Sequence, residues 1–244
     1  RFARLCSRCR LSLGTLMNNY YEGLFAEVEQ AGGVVTDVVG DAMMAIWTTA
    51  APDSALQARA CYGALAIAAE VARFNQVPGR PALPTRIGLH SGPIRLGNIG
   101  GTRHVQYRAT GDIVNTASRI EGLNKRLGTR ILVSADTLAG VSGFETRELG
   151  TFLLAGKSTP LVIHELQGET GSVPVDILDR NGRFQQALAT FRSGDWDGAR
   201  TLFDALQSEF PDDHAVKFYV DLSARYQEQG PDTFENGAVR ILAR

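Results

Sequence analysis

The stretch Gly32-Gly33-Val34-Val35-Thr36-Asp37-Val38-Val39-Gly40-Asp41-Ala42-Met43-Met44-Ala45-Ile46-Trp47 constrains this chain more than any other. Val34, Val35, Val38 and Val39 are β-branched and suit a pleated, mostly buried surface. Gly40 supplies the backbone freedom of a tight turn, and Met43 to Trp47 continues as a second apolar strand. The segment therefore reads as a β-hairpin. Asp41 stands at its tip, where a carboxylate is either a turn former or a metal ligand. The hairpin alone does not choose between them.

The flanks set the fold class. Leu13, Leu16, Met17, Tyr20, Leu24 and Val28 recur at three- and four-residue steps, which builds one apolar helix face that Gly32-Gly33 ends. A second, Ala-rich helix is expected from about Ser54 to Asn75, with Pro52-Asp53 at its start. Pro78, Pro81 and Pro84 make the next segment a loop. Arg86–Gly92 and Ile94–Gly100 read as two strands around a Gly-Pro turn, and Tyr107–Thr110 as a short strand. A helix from about Ile113 to Arg126, a strand at Ile131–Val133, a short helix near Ala135–Leu138 and strands at Phe144–Leu149, Phe152–Leu154 and Leu161–Leu166 follow. Strands alternating with helices and joined by hairpins predict an α+β sandwich with helices on one face.

Bulk properties exclude several classes. Among 244 residues the formal net charge is −1, which leaves no basic footprint for nucleic acid. No apolar run approaches the ~18 residues that a membrane span needs. Cys6, Cys9 and Cys61 are too few and too scattered for a disulfide framework, as expected of a reducing compartment. Cys6 and Cys9 form a C-x-x-C, but no second pair follows and the histidines are dispersed, so zinc or redox chemistry is not expected there.

The richest motif is Tyr107-Arg108-Ala109-Thr110-Gly111-Asp112-Ile113-Val114-Asn115-Thr116-Ala117-Ser118-Arg119-Ile120-Glu121: a strand end, a Gly-Asp turn and a helix. Asn115 and Arg119 are four apart and share one helix face. An amide beside a guanidinium suits a sugar oxygen and a phosphate together; the plain alternative is a solvated face. With G-G-V-V-T-D-V-V-G-D-A-M-M-A, R-I-G-L-H-S-G-P, G-N-I-G, G-D-I-V-N-T-A-S-R-I-E, L-G-T-R-I-L-V-S and the F-E-T-R-E-L-G … G-K-S-T-P-L-V-I-H-E-L ending, in that order, the chain from about Leu11 to Gln167 resembles the class III adenylate and guanylate cyclase catalytic domain.

That resemblance implies a ferredoxin-like βαββαβ sandwich working as a homodimer, with each site shared by two copies. It implies two Mg2+ or Mn2+ ions per site, with Asp41 as one ligand, and Asn115 and Arg119 as the groups that orient the ribose and stabilise charge on the α-phosphate. Three features depart from the family pattern. The other metal aspartate would fall just before Arg1, so the first strand of the domain is expected upstream, and Arg1–Arg10 reads as an irregular or corrupted start. Asp37 and Arg108 hold the base-reading positions with acid and base exchanged; they suit guanine at least as well as adenine, or pair with one another. In Ala155-Gly156-Lys157 the first lysine of the family's phosphate-contacting turn is replaced and Lys157 remains; the glycine spacing and the following Thr-Pro rule out a P-loop.

Residues 169–180 read as a polar linker. Residues 181–244 read as a helical appendage in which Ala187, Ala199, Phe203 and Pro211 fall at tetratricopeptide-like spacing around a Gly194-Asp195-Trp196 turn. One such unit cannot bury its own face and needs the main domain, the helix from about Asp213 to Gln227, or a protein partner. The implied function is a purine nucleotide cyclase, a phosphorus–oxygen lyase of bacterial signal transduction. It would form cyclic AMP from ATP and release pyrophosphate. A guanylate cyclase and an inactive cyclase-like dimerisation module are the alternatives. The resemblance implies a cytoplasmic location for this part, with membrane anchoring of a longer parent left open.

Overall fold

The computed structural model describes residues 13–51, 53–101, 104–235 and 237–242, the side chains of 13, 98–108 and 235 excepted. The expectation for Arg1–Arg10 lies outside the described residues. Seven helices and ten strands are found among the described residues, an α+β fold with a mixed sheet. They fall into two compact units, the described residues of Arg1–Thr85 with Pro93–Gly111, and Arg86–Gly92 with Asp112–Arg244.

In the first unit, the four-residue spacing of Leu16, Tyr20, Leu24 and Val28 buries one stripe of helix α1 (Leu13–Gln30), each residue being at most 8% exposed. That stripe packs on helix α2 (Ser54–Asn75), which buries Ala60, Ala64, Ile67, Val71 and Phe74 and starts where the Asp53 carboxylate accepts from Ala55 N–H at 2.9 Å. Strands β1 (Val34–Val39) and β2 (Ala42–Ile46) pair antiparallel as the expected hairpin, with a register shift between Val35 and Asp37. In the same unit, β4 (Arg95–Gly101) pairs with β5 (His104–Thr110), and β1 lies against β5.

The second unit is built on a six-stranded sheet. Strand β3 (Ile87–Leu89) runs parallel to β6 (Ile131–Ser134) and does not form a hairpin with β4, as the Gly-Pro turn had suggested. Each strand takes a partner that arrives later in the chain, β3 the strand β6 and β4 the strand β5. Strand β7 (Phe144–Leu153) is one strand with a bulge at Glu148/Gly150, where the sequence suggested two; it pairs with β8 (Leu161–Glu169). Helix α3 (Asp112–Leu127) covers β3 and β6, followed after β6 by the short α4 (Ala135–Leu138).

Helix α5 begins at Val175, inside the stretch expected as linker, and runs to Arg192; α6 (Trp196–Glu209) and α7 (His214–Gln229) follow. Strands β9 (Phe234–Glu235) and β10 (Ala238–Arg240) return to the sheet, with β10 parallel to β7. The helices share one core with the sheet: Phe184, Phe191, Phe203, Tyr219 and Tyr226 join Ile120, Leu149, Phe152 and Ile163 in a continuous cluster. An ion network reinforces it. Arg147 on β7, 3% exposed, meets Asp213 at 2.5 Å and Glu165 on β8 at 2.8 Å, and Arg180 on α5 reaches Asp213 at 3.1 Å. Burial alone would push the Asp213 carboxyl up; the charge and hydrogen bond of Arg147, with Arg180, outweigh it and hold Asp213 below the ordinary carboxylate range.

Candidate active site

In the second unit Arg119 lies against the turn that carries Lys157, and Asn115 stands one helical turn before Arg119. Helix α3 is amphipathic: Thr116, Ile120, Leu123, Asn124 and Leu127 are buried, which leaves Asn115 exposed and Arg119 half-buried on the other side. Two local devices seat it. At Gly88 on β3 an added Cβ would stand 2.4 Å from both Ala117 O and Glu121 N, so the helix backbone lies directly on the strand. The buried Asn124 amide donates to Ile87 O at 2.9 Å, and Thr129 Oγ1 donates to Asn124 Oδ1 at 2.8 Å. The helix that carries Asn115 and Arg119 is thus fixed by packing and by satisfied buried polar groups.

Lys157 comes from the turn after β7, where its N–H donates to Leu154 O at 3.0 Å. Gly156 has φ +67° and faces the Arg119 guanidinium; a Cβ there would sit 3.1 Å from Nη2. The Lys157 ammonium pairs with the Asp112 carboxylate and also donates to Asp112 O at 3.3 Å. This pairing, helped by the charge of Arg119, lowers the Asp112 carboxyl below its usual range. Two cations, one from a helix face and one from a turn, therefore sit around one small backbone bend, with an exposed amide a helical turn away. Such a set can grip adjacent phosphoryl oxygens and a sugar hydroxyl.

Asp112 and His90 were not singled out from the sequence. An acidic residue at a helix start reads as ordinary dipole chemistry, and nothing along the chain links it to a lysine 45 positions on. His90 follows β3, bonds through Nδ1 to Ser134 Oγ at 2.8 Å, and is pushed below its ordinary value by burial, with the charges of Asp136, Lys157 and Asp112 acting on it.

The remaining expected residues lie in the first unit. Asp41 is exposed at the hairpin tip after Gly40, whose carbonyl accepts from Tyr21 OH at 3.1 Å. Its nearness adds to the raising of the Tyr20 and Tyr21 hydroxyls, for both of which burial is the larger cause. Asp37 is half-buried on β1 opposite Met44, and Arg108 lies on β5 opposite Gly97. The two base-reading candidates thus occupy strands that lie against each other; the Arg108 side chain is outside the described residues. Among the described residues no three His, Cys, Asp or Glu side chains gather to hold an ion. No helix among them is long and apolar enough to cross a membrane.

Comparison with known proteins gives this arrangement a context. Adenylate cyclase 1 of Rhizobium meliloti is 36% identical over 163 residues, which cover 65% of this chain and 24% of that protein. The chain thus spans about a quarter of that relative's length. The adenylyl cyclase CyaB of P. aeruginosa has a similar fold, with a TM-score of 0.59 at 23% identity, over 71% of this chain and 91% of that one. The guanylate cyclase domain of RhGC from Catenaria anguillulae, solved in complex with GTP, aligns with a TM-score of 0.57 at 25% identity, over 70% and 92%. The profile of the adenylate and guanylate cyclase catalytic domain matches residues 1–168, more than half of the sequence, and the chain therefore belongs to that family.

Proposed function

We propose that residues 11–168 belong to the catalytic domain of a purine nucleotide cyclase, which converts ATP to cyclic AMP and pyrophosphate at sites shared by two copies. The observation that carries this reading is the convergence of Arg119 and Lys157 about Gly156, with Asn115 one turn earlier on the same helix. The ribose 3′-hydroxyl gives up its proton to water and its oxygen attacks the α-phosphorus in line; the new O3′–P bond forms as the bond from the α-phosphorus to the pyrophosphate oxygen breaks. Arg119 stabilises the charge on the α-phosphate oxygens, where a preorganised donor acts most strongly in the transition state. Asn115 holds the ribose. Lys157, exchanging Asp112 for phosphate oxygens, neutralises the leaving pyrophosphate. Two divalent ions, with Asp41 as one ligand, belong to the reading by family membership; the described residues supply only that single carboxylate at the hairpin tip.

Adenine is favoured because the Rhizobium relative is named an adenylate cyclase. Asp37 and Arg108 favour the GTP alternative, since a carboxylate accepts from guanine N1 and N2 hydrogens and a guanidinium donates to O6 and N7. A cyclase-like dimerisation module without activity is the remaining reading.

The test is turnover by the full-length gene product with ATP or GTP and manganese. Cyclic AMP as the main product supports the proposal, preference for GTP overturns the adenine assignment, and no cyclic product from either overturns the catalytic reading. Replacing Asp37 with Lys and Arg108 with Asp should move purine preference about tenfold, the scale of one good bidentate contact; unchanged preference would show that the pair does not read the base.

A further inference from the structure

Strand β7 is held from Arg147 to Leu153 by residues that follow the family domain. Arg147 takes Asp213 and approaches the Phe184 ring at 4.9 Å. The Glu148 carbonyl accepts from Gln185 Nε2 at 2.8 Å, and its carboxylate pairs with Arg192. The Leu149 carbonyl accepts from Tyr219 OH at 2.5 Å. The last grip is backbone to backbone: Val239 and Arg240 stand in register with Phe152 and Leu153, and Ile241 N–H donates to Leu153 O at 2.9 Å. Leu153 ends the strand, and Lys157 N–H bonds to Leu154 O in the turn that follows at once. The same returning segment reaches α3, because Arg126 Nη2 donates to Leu242 O at 2.6 Å.

Residues 238–242 thus bridge two elements, the strand that ends in the Lys157 turn and the helix that carries Arg119. They lie far beyond residue 168, where the family match stops. A segment outside the catalytic fold that is bonded one residue before the phosphate-facing turn, and to the far end of the arginine helix, has the placement of a brace. We infer that strand β10 and the two residues after it position the Ala155–Gly156–Lys157 turn against Arg119, so that the helical appendage sets how tightly the triphosphate is held. This rests on the cyclase reading of Lys157 and Arg119, but its structural core does not need turnover to be observed.

Two variants of the full-length protein each delete one bond of the brace without touching Arg119 or Lys157. Ile241→Pro deletes the N–H that Leu153 O accepts, and Arg126→Met deletes the bond to Leu242 O. Leu242→Ala, which keeps that carbonyl, is the control. The readouts are hydrogen exchange at the Lys157 amide, compared with that at Val133 on β6, and the nucleotide KM and kcat per folded molecule. Loss of one hydrogen bond predicts about fivefold faster exchange at Lys157 and a similar rise in KM for each variant, with kcat changed less. A purely structural role would lower the folded fraction and speed exchange at Val133 equally, with KM constant; that result overturns the inference. Unchanged exchange and KM in both variants also overturns it, and leaves the cyclase reading intact. If the wild type forms no cyclic product yet Ile241→Pro selectively speeds exchange at Lys157, the brace stands and the cyclase reading falls.

Discussion

The two units hold their candidate groups in different ways. In the second unit Asn115, Arg119 and Lys157 rise from a helix seated on a strand and from a turn at the end of a strand within a six-stranded sheet. In the first, Asp37 and Asp41 ride a two-stranded ladder whose Val34, Val38 and Val39 are 60%, 41% and 64% exposed. Three adjacent strands and a covered face are what usually make a sheet stable by itself. Arg119 and Lys157 are therefore held by elements that share the buried core of their unit, while the hairpin carboxylates ride a ladder with exposed valines.

The contrast can be broken most severely at Asp213. Asp213→Ala removes a carboxylate that pairs with Arg147 and Arg180 and also caps α7 through the Ala215 and Val216 N–H groups. Leaving buried Arg147 with Glu165 alone should cost about 3–5 kcal/mol of stability, measured by denaturant unfolding. A loss below about 1 kcal/mol, the scale of an exposed pair, would mean that the second unit is not held this way. The same pair sets a pH dependence. The Asp213 carboxyl lies below its ordinary value, so its stabilisation is complete above the unfolded-state pKa of about 3.9 and is lost as pH falls through the lower folded-state value. Asp213→Asn should flatten that acid limb of the stability curve.

Next in size is Arg119→Ala, expected to lower kcat by about 10²–10³, the scale of one lost transition-state donor, with KM and melting temperature changed little. A rise in KM with kcat unchanged would show that Arg119 merely binds substrate. The smallest monomer effect belongs to the hairpin surface. Val38→Thr with Val39→Thr should shift the stability of a single copy by no more than about 0.5 kcal/mol, while weakening self-association seen by sedimentation. Unchanged association would remove this face from the dimer contact.

Much of this was legible in the sequence where information is local. The four-residue spacing of Leu16, Tyr20, Leu24 and Val28, the Asp53 cap and the Gly40 turn each act within a few residues, so helix α1, helix α2 and the β1–β2 hairpin appear where spacing puts them. Asn115 and Arg119 were readable as one face because a helix fixes that relation. Strand partners were less readable. Arg86–Gly92 and Ile94–Gly100 are neighbours in sequence and share no ladder, since pairing depends on β6 and β5, which arrive later in the chain. The linker reading likewise ended early, because Val175 opens a helix whose buried residues meet the sheet.

By itself the sequence determined the family and put forward Asp41, Asn115 and Arg119 as candidates, because ordered motifs and helical periodicity are properties of neighbours along the chain. Only the tertiary structure decided that Lys157 answers to Asp112, that Gly156 lies under Arg119, and that the residues after 168 grip β7 and return to it as a strand. Those relations join residues tens of positions apart. They exist because buried area and hydrogen-bond satisfaction are optimised over the whole core, a sum that no local stretch of sequence contains.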